Sequence, residues 1–127
     1  MSGKLLLFGF DTLPAILAVE AAAKPFGAEV VPVGRTDYNK PLAVLAGLDS
    51  APGPIMDYAG ASLGGRMIVL CGLEKQLDAL LPALAQAGAG PDCLKAVLTP
   101  HNRSWSGVML CAELQKERRA FEKGGKR

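Results

Sequence analysis

The segment KLLLFGF, Lys4–Phe10, decides the fold because its apolar residues follow one another without polar alternation. A strand of this composition is covered on both faces, which is typical of a sheet that lies between helices. A second segment of the same kind, RMIVLCG at Arg66–Gly72, begins the second half of the chain. The two segments predict the central strands of one α/β sheet.

In the first half, the buried strand is followed by a helix and by a second strand. Asp11 or Thr12 can cap a helix over 13–24, because both side chains accept hydrogen bonds from free N–H groups. The segment AEVVPVG, Ala28–Gly34, is the second strand, and a short helix over 42–48 follows it. This half therefore predicts a βαβα unit.

The second half repeats this order of elements. Five leucines between Leu73 and Leu84 have the spacing of one amphipathic helix face, and Pro82 should kink or shorten that helix. The segment LKAVLTP, Leu94–Pro100, is the fourth strand. The last helix should bury the face that carries Trp105, Val108, Met109 and Ala112.

The two halves also align residue by residue. Phe8–Phe10 corresponds to Cys71–Leu73 at an offset of 63 positions, and Val33–Asp37 corresponds to Leu98–Asn102 at an offset of 65. Few residues are identical, so duplication is a hypothesis. Two βαβ(α) repeats predict a mainly parallel four-stranded sheet of order 2-1-3-4, flanked by helices; a ferredoxin-like α+β fold is the alternative.

The length of 127 residues predicts a single α/β domain, with pseudo-repeat halves at 1–48 and 66–127. Residues 49–65, which join the halves, are rich in Gly, Ala and Pro. A connection this long inside a compact domain is usually functional or disordered, so we predict a flexible segment. Three of its residues could anchor its middle: Ile55, Met56 and Tyr58.

Charge and hydropathy argue against several partners. Residues 1–115 contain eight Lys and Arg against ten Asp and Glu, whereas residues 116–127 contain six against two. Because only the tail is basic and no aromatic-rich basic groove accompanies it, a nucleic-acid partner is not expected. No apolar run approaches the roughly 18 residues of a membrane span, so we expect no membrane association and a cytoplasmic location.

Three cysteines and a single histidine lack metal-ligand spacing, so neither a metal nor a cofactor is expected. Cys71 precedes a helix, where a thiol pKa can be lowered, but a small buried residue is the favoured interpretation. His101 could act as its base only if strands 3 and 4 are neighbours, and no triad pattern supports such a pair. We therefore assign no catalytic residue.

Uncommon polar side chains concentrate in the turns that follow the strands. In a parallel sheet these turns share one edge, where α/β sheets bind ligands at a switch point in strand order. Gly9 and Gly72 permit positive φ or close ligand approach, and Arg35 and Arg103 suit a carboxylate. The predicted ligand-binding residues are Gly9, Asp11, Arg35, Asp37, Gly72, His101, Asn102 and Arg103, with residues 49–65 as a lid.

The same residues also have a structural interpretation. Asn102 or Ser104 can be the N-cap of the last helix, and Trp105 can be a core side chain whose indole N–H reaches a turn carbonyl. Under this interpretation the polar groups cap helices and pair with one another.

Three functions remain open. We favour a non-catalytic domain that binds a small polar ligand or a partner, because polar groups converge at one edge without a paired acid and base. The second is an enzyme that uses Cys71 with His101. The third is a self-associating scaffold, such as a homodimer through an outer strand or an aliphatic helix face.

The stretch KAVLTPHNRSW, Lys95–Trp105, resembles the signature of a bacterial family called domain of unknown function 3783. The segments LLLFGF, MIVLCGL and AELQKE also fit its pattern, whereas Asp49–Gly65 and Pro82 depart from it. The resemblance implies a small cytosolic bacterial α/β protein. It implies no activity, ligand or catalytic residue.

Overall fold

The computed structural model describes residues 3–50, 53, 56–61, 63–90 and 92–124. The strands are β1 (Lys4–Phe8), β2 (Glu29–Val33), β3 (Met67–Cys71) and β4 (Leu94–Val97). The helices are α1 (Leu13–Ala23), α2 (Leu42–Leu45), α3 (Leu77–Gln86) and α4 (Gly107–Gly124). Short 3₁₀ turns lie at Lys24–Phe26, Arg35–Asp37 and Glu74–Gln76.

The four strands form one sheet in the order β2-β1-β3-β4, which confirms the predicted order over the ferredoxin-like alternative. β1 pairs with β2 in parallel, and β3 pairs with β4 in parallel. The central pair, β1 and β3, is antiparallel. The sheet is therefore mainly parallel, as predicted, but its two halves run in opposite directions.

The register of the central pair gives the sheet an approximate twofold axis. Lys4 pairs with Cys71 and Phe8 pairs with Met67, so the axis passes between Leu6 and Val69. Equivalent positions of β1 and β3 are then 63 residues apart, and equivalent positions of β2 and β4 are 65 apart. These are the offsets at which the two halves align in the sequence.

Helices cover both faces of the sheet, as the continuous apolar runs predict. Leu5 and Leu7 of β1 face α1 and α3, while Leu6 and Phe8 face α2 and α4. In this strand order, α1 connects β1 to β2 on one side and α3 connects β3 to β4 on the other. If both crossovers are right-handed, α1 and α3 lie on the same face of the sheet only when β1 and β3 are antiparallel. Their shared face therefore accounts for the antiparallel central pair.

The predicted helix signals are mostly confirmed. Thr12 caps α1, because its side chain accepts a hydrogen bond from Ala15 N at 3.4 Å. Leu80 and Leu84 of the leucine stripe are fully buried. The α-helical part begins only at Leu77, so α3 is shorter than the leucine stripe. Pro82 lies inside α3, and its missing N–H removes one backbone hydrogen bond to the preceding turn.

The predicted face of α4 is partly wrong. Met109 and Ala112 are exposed, whereas Leu110 and Cys111 are buried against the sheet. The helix begins at Gly107, so Trp105 precedes it and does not mark its inward face. Its cap is Ser106, whose Oγ accepts a hydrogen bond from Met109 N at 3.1 Å.

The described part of residues 49–65 is attached to both halves of the domain. Tyr58 N donates to Thr36 O at 2.9 Å, and the Tyr58 ring packs 6.0 Å from the Tyr38 ring. Leu63 O accepts a hydrogen bond from Gln115 Nε2 at 3.2 Å. Tyr58 is thus the predicted anchor, while the Met56 side chain is exposed and Ile55 lies outside the described residues.

Candidate functional site

The antiparallel central pair divides the predicted ligand-binding residues between two ends of the sheet. At the first end, β1 and β2 terminate and β3 and β4 begin; at the second end, the reverse holds. The expectation that all strand-to-helix turns share one edge is therefore wrong. Gly9, Asp11, Arg35 and Asp37 follow strands at the first end, and Gly72, His101, Asn102 and Arg103 follow strands at the second.

The second end contains a cavity of about 550 Å³ between the β3 and β4 exits and the segment after α2. Its wall is mainly aliphatic, because Leu48, Leu98 and Pro100 line it together with the backbone of Gly72. The full lining is Lys4, Ala46, Leu48, Cys71, Gly72, Leu98, Thr99, Pro100 and Arg103. Only Gly72 and Arg103 of the predicted residues belong to it.

Two cations border this cavity. Lys4 Nζ donates to Ala46 O at 2.8 Å, and the site is partly buried. Arg103 Nη2 lies 2.9 Å from Asp49 Oδ1 in a half-exposed ion pair. Exposed pairs of this kind stabilise by only about 0–1 kcal/mol, so another carboxylate can replace Asp49 at small cost.

Asn102 has a structural role rather than a place in the cavity. Its Oδ1 accepts a hydrogen bond from Thr99 N at 2.9 Å, and its Nδ2 donates to Val97 O at 3.1 Å. Its own N–H donates to Thr99 Oγ1 at 3.2 Å. These bonds satisfy a buried side chain and fix the turn after β4. Asn102 therefore has a structural role, but it stabilises this turn and is not the N-cap of the last helix.

The remainder of this dense turn joins the two halves. Leu42 N donates to Trp105 O at 2.9 Å, and Ala43 N donates to Arg103 O at 3.0 Å, so the turn satisfies the first N–H groups of α2. Trp105 is partly buried beside the core, and the exposed His101 ring meets it edge-on at 5.2 Å. The backbone of this turn therefore holds the start of α2.

Cys71 lies on the cavity wall in surroundings that disfavour its thiolate. The side chain is buried, and burial raises the pKa of its thiol to about 11, although Lys4 opposes this shift. β3 and β4 are neighbours, which the enzyme hypothesis requires. Within the described residues, however, the hydrogen bond of the Cys71 thiol goes to Val69 O, at 3.9 Å, and His101 contacts Trp105.

We expect iodoacetamide to label Cys71 of the folded protein very slowly near neutral pH, in a variant with Cys93→Ala and Cys111→Ala. Labelling should accelerate only as the pH approaches the raised pKa of about 11. Since folding raises this pKa, ionisation of Cys71 destabilises the fold above its unfolded-state pKa and has no effect at neutral pH. The urea-unfolded chain is the control, and fast labelling of folded protein near neutrality would support the enzyme hypothesis instead.

At the first end, the predicted residues are held by the fold. Gly9 has φ of 80°, and its N–H donates to the buried Tyr38 hydroxyl at 3.1 Å. The Arg35 guanidinium donates to Gly60 O, with Nη2 at 2.8 Å, and Asp37 pairs with Lys40. Gly9, Asp11 and Arg35 border a second cavity of about 510 Å³ with Arg66.

Lys4, Leu98 and Arg66 also line these cavities, although they were not among the predicted ligand-binding residues. The sequence does mark Lys4 and Arg66, because each is the charged residue at the start of a long apolar segment. In an antiparallel pair, the start of one strand lies beside the exit of the other, so both positions border sites once the orientation is known. Leu98 carries no comparable signal.

Within the described ranges, no group of three or more His, Cys, Asp and Glu side chains could hold a metal ion. The helices in the same ranges include none that is long and apolar enough to cross a membrane.

A family model described as domain of unknown function (DUF3783) matches residues 66–121. Comparison with curated proteins and with solved structures finds no match to this chain. The matched residues contain β3, α3, β4 and most of α4, so they include the exits of β3 and β4 that border the second-end cavity. The segment LLLFGF and the rest of the first half lie outside the match. Residues 66–121, somewhat less than half of the chain, are thus similar to the family described as domain of unknown function (DUF3783).

Proposed function

We propose that this protein is a non-catalytic cytoplasmic domain that binds a small amphipathic carboxylate in the second-end cavity. The observation that carries the proposal is a cavity of about 550 Å³ with an aliphatic wall and two bordering cations. Ligand sites typically combine an apolar wall with a few polar groups that fix the orientation of the ligand. The cytoplasmic location is supported by three cysteines that are all free and buried.

The charges favour an anionic ligand head. Lys4 carries no ion pair within the described chain, and its Nζ has donor capacity beyond the bond to Ala46 O. The planar guanidinium of Arg103 can bind a carboxylate through two N–H groups. In the structure it pairs with the carboxylate of the half-exposed Asp49. A ligand carboxylate would take the position of Asp49, while its hydrocarbon part would lie against Leu98 and Leu48.

Octanoate is a suitable probe, because it has one carboxylate and an aliphatic chain that fits the cavity volume. We expect octanoate to displace 8-anilinonaphthalene-1-sulfonate from the protein, and 1-octanol to do so more weakly. Leu48→Asp should weaken octanoate binding by about tenfold or more, because it places a negative charge at the cavity. Arg103→Gln should weaken it by about tenfold through loss of a charged hydrogen bond.

The matched control is Leu17→Asp. Leu17 on α1 is 50% exposed and Leu48 is 54% exposed, but only Leu48 lines the cavity. Melting temperatures of all variants without ligand establish that each is folded. Equal octanoate affinity in the parent, Leu48→Asp and Arg103→Gln would refute the proposed site.

A further inference from the structure

The first end of the sheet holds a groove that the proposed function does not use. It consists of the cavity of about 510 Å³ beside Gly9 and a neighbouring cavity of about 310 Å³ beside the start of β4. The two cavities share Gly65 and Arg66 in their walls, so Arg66 lies between them. We call this pair of cavities the arginine groove.

Four arginines and two aspartates line the arginine groove: Arg35, Arg66, Arg118, Arg119, Asp11 and Asp92. Positive charge is therefore concentrated here, although residues 1–115 as a whole have more acidic than basic side chains. In the part of the chain that the structure describes, Arg35, Arg66 and Arg119 form no ion pair with a carboxylate. Each of the three retains donors that an anion can accept.

Two of these guanidinium groups are held in place before any ligand arrives. Both Nε and Nη2 of Arg35 donate to Gly60 O, at 3.2 and 2.8 Å. The Arg66 guanidinium carbon lies 4.9 Å from the centre of the Phe10 ring. Because these side chains are already restrained, a ligand that binds them loses less side-chain conformational entropy than it would with freely moving arginines.

We propose that the arginine groove binds a compact diphosphate-bearing ligand, with Arg66 at the centre of the diphosphate and Arg35 and Arg119 at its two sides. Arginine forks match phosphate oxygens in pairs, and several arginines around one groove suit a ligand with more than one negative charge. Single-stranded nucleic acid fits less well, because the one aromatic side chain that lines the described groove, Tyr38, is buried and offers no stacking platform.

Isothermal titration calorimetry with pyrophosphate, at constant ionic strength, tests this site. Pyrophosphate should bind at least about tenfold more tightly than orthophosphate, and Arg66→Gln and Arg119→Gln should each weaken its binding by about tenfold. A parallel titration with ADP distinguishes the source of the diphosphate. Affinity equal to that of pyrophosphate supports recognition of the diphosphate alone, and tighter binding supports a nucleotide.

Lys24→Gln is the charge-matched control, since Lys24 is exposed at the far end of α1 and lines neither cavity of the groove. It should leave pyrophosphate binding unchanged. Arg119 is exposed, so Arg119→Gln keeps the test valid even if Arg66→Gln perturbs Phe10. Binding that is the same in all variants, or no stronger than that of sulfate, would overturn the proposal. Leu48→Asp should leave pyrophosphate binding unchanged. A failure of the pyrophosphate proposal can therefore be distinguished from a failure of the octanoate proposal.

Discussion

Replacing Phe8 by alanine should lower the free energy of unfolding by about 3–5 kcal/mol. Phe8 is completely buried at the end of a central strand, and its ring lies 5.6 Å from the Tyr38 ring. α4 packs so closely on it that a Cβ added at Gly107 would come within 2.3 Å of the ring. Truncation therefore removes the contacts of this ring with Tyr38 and with α4, and leaves a cavity. Urea denaturation followed by far-ultraviolet circular dichroism measures the loss.

Phe26→Ala is the matched control, because it makes the same chemical change at a partly buried position of the other core cluster. Its loss of stability should be clearly smaller than that of Phe8→Ala, since less apolar surface is withdrawn from water there. Equal losses for the two variants would contradict the central position of Phe8 in the fold.

Replacing Gly9 by alanine should lower the free energy of unfolding by about 2–5 kcal/mol, from two causes. Its φ of 80° is unfavourable for an L-residue by about 1–2 kcal/mol. A Cβ at this position would also lie 2.5 Å from Gly65 O, a backbone atom that cannot move without displacing the start of β3. The overpacking adds about 1–3 kcal/mol.

Gly72→Ala separates these two causes, because Gly72 is the position equivalent to Gly9 under the twofold axis of the sheet. It has a similar φ of 73°, but the nearest atom to an added Cβ, Gly3 Cα, is 3.7 Å away. Only the backbone cost of about 1–2 kcal/mol should remain. If Gly72→Ala proves as damaging as Gly9→Ala in chemical denaturation, the close approach of Gly65 is not the cause.

The second-end cavity was only partly predictable. Arg103 and Gly72 were identified because they follow strands, and that rule holds in either strand orientation. Leu48 and Lys4 were missed because they reach the cavity from the first half, across a junction that depends on the antiparallel pair. His101 and Asn102 were predicted by the same rule, and in the structure their contacts are with Trp105 and with the β4 exit.

The sequence by itself determined the strands, most of the helices and the strand order. Continuous apolar runs at Lys4–Phe8 and Met67–Cys71 require cover on both faces, and the offsets of 63 and 65 recur in the strand register. Only the tertiary structure decided that β1 and β3 are antiparallel. A fully buried strand presents apolar side chains on both faces in either direction, so its sequence does not encode its orientation. The packing of α1 and α3 on one face fixes that orientation, and with it the division of one predicted site into two.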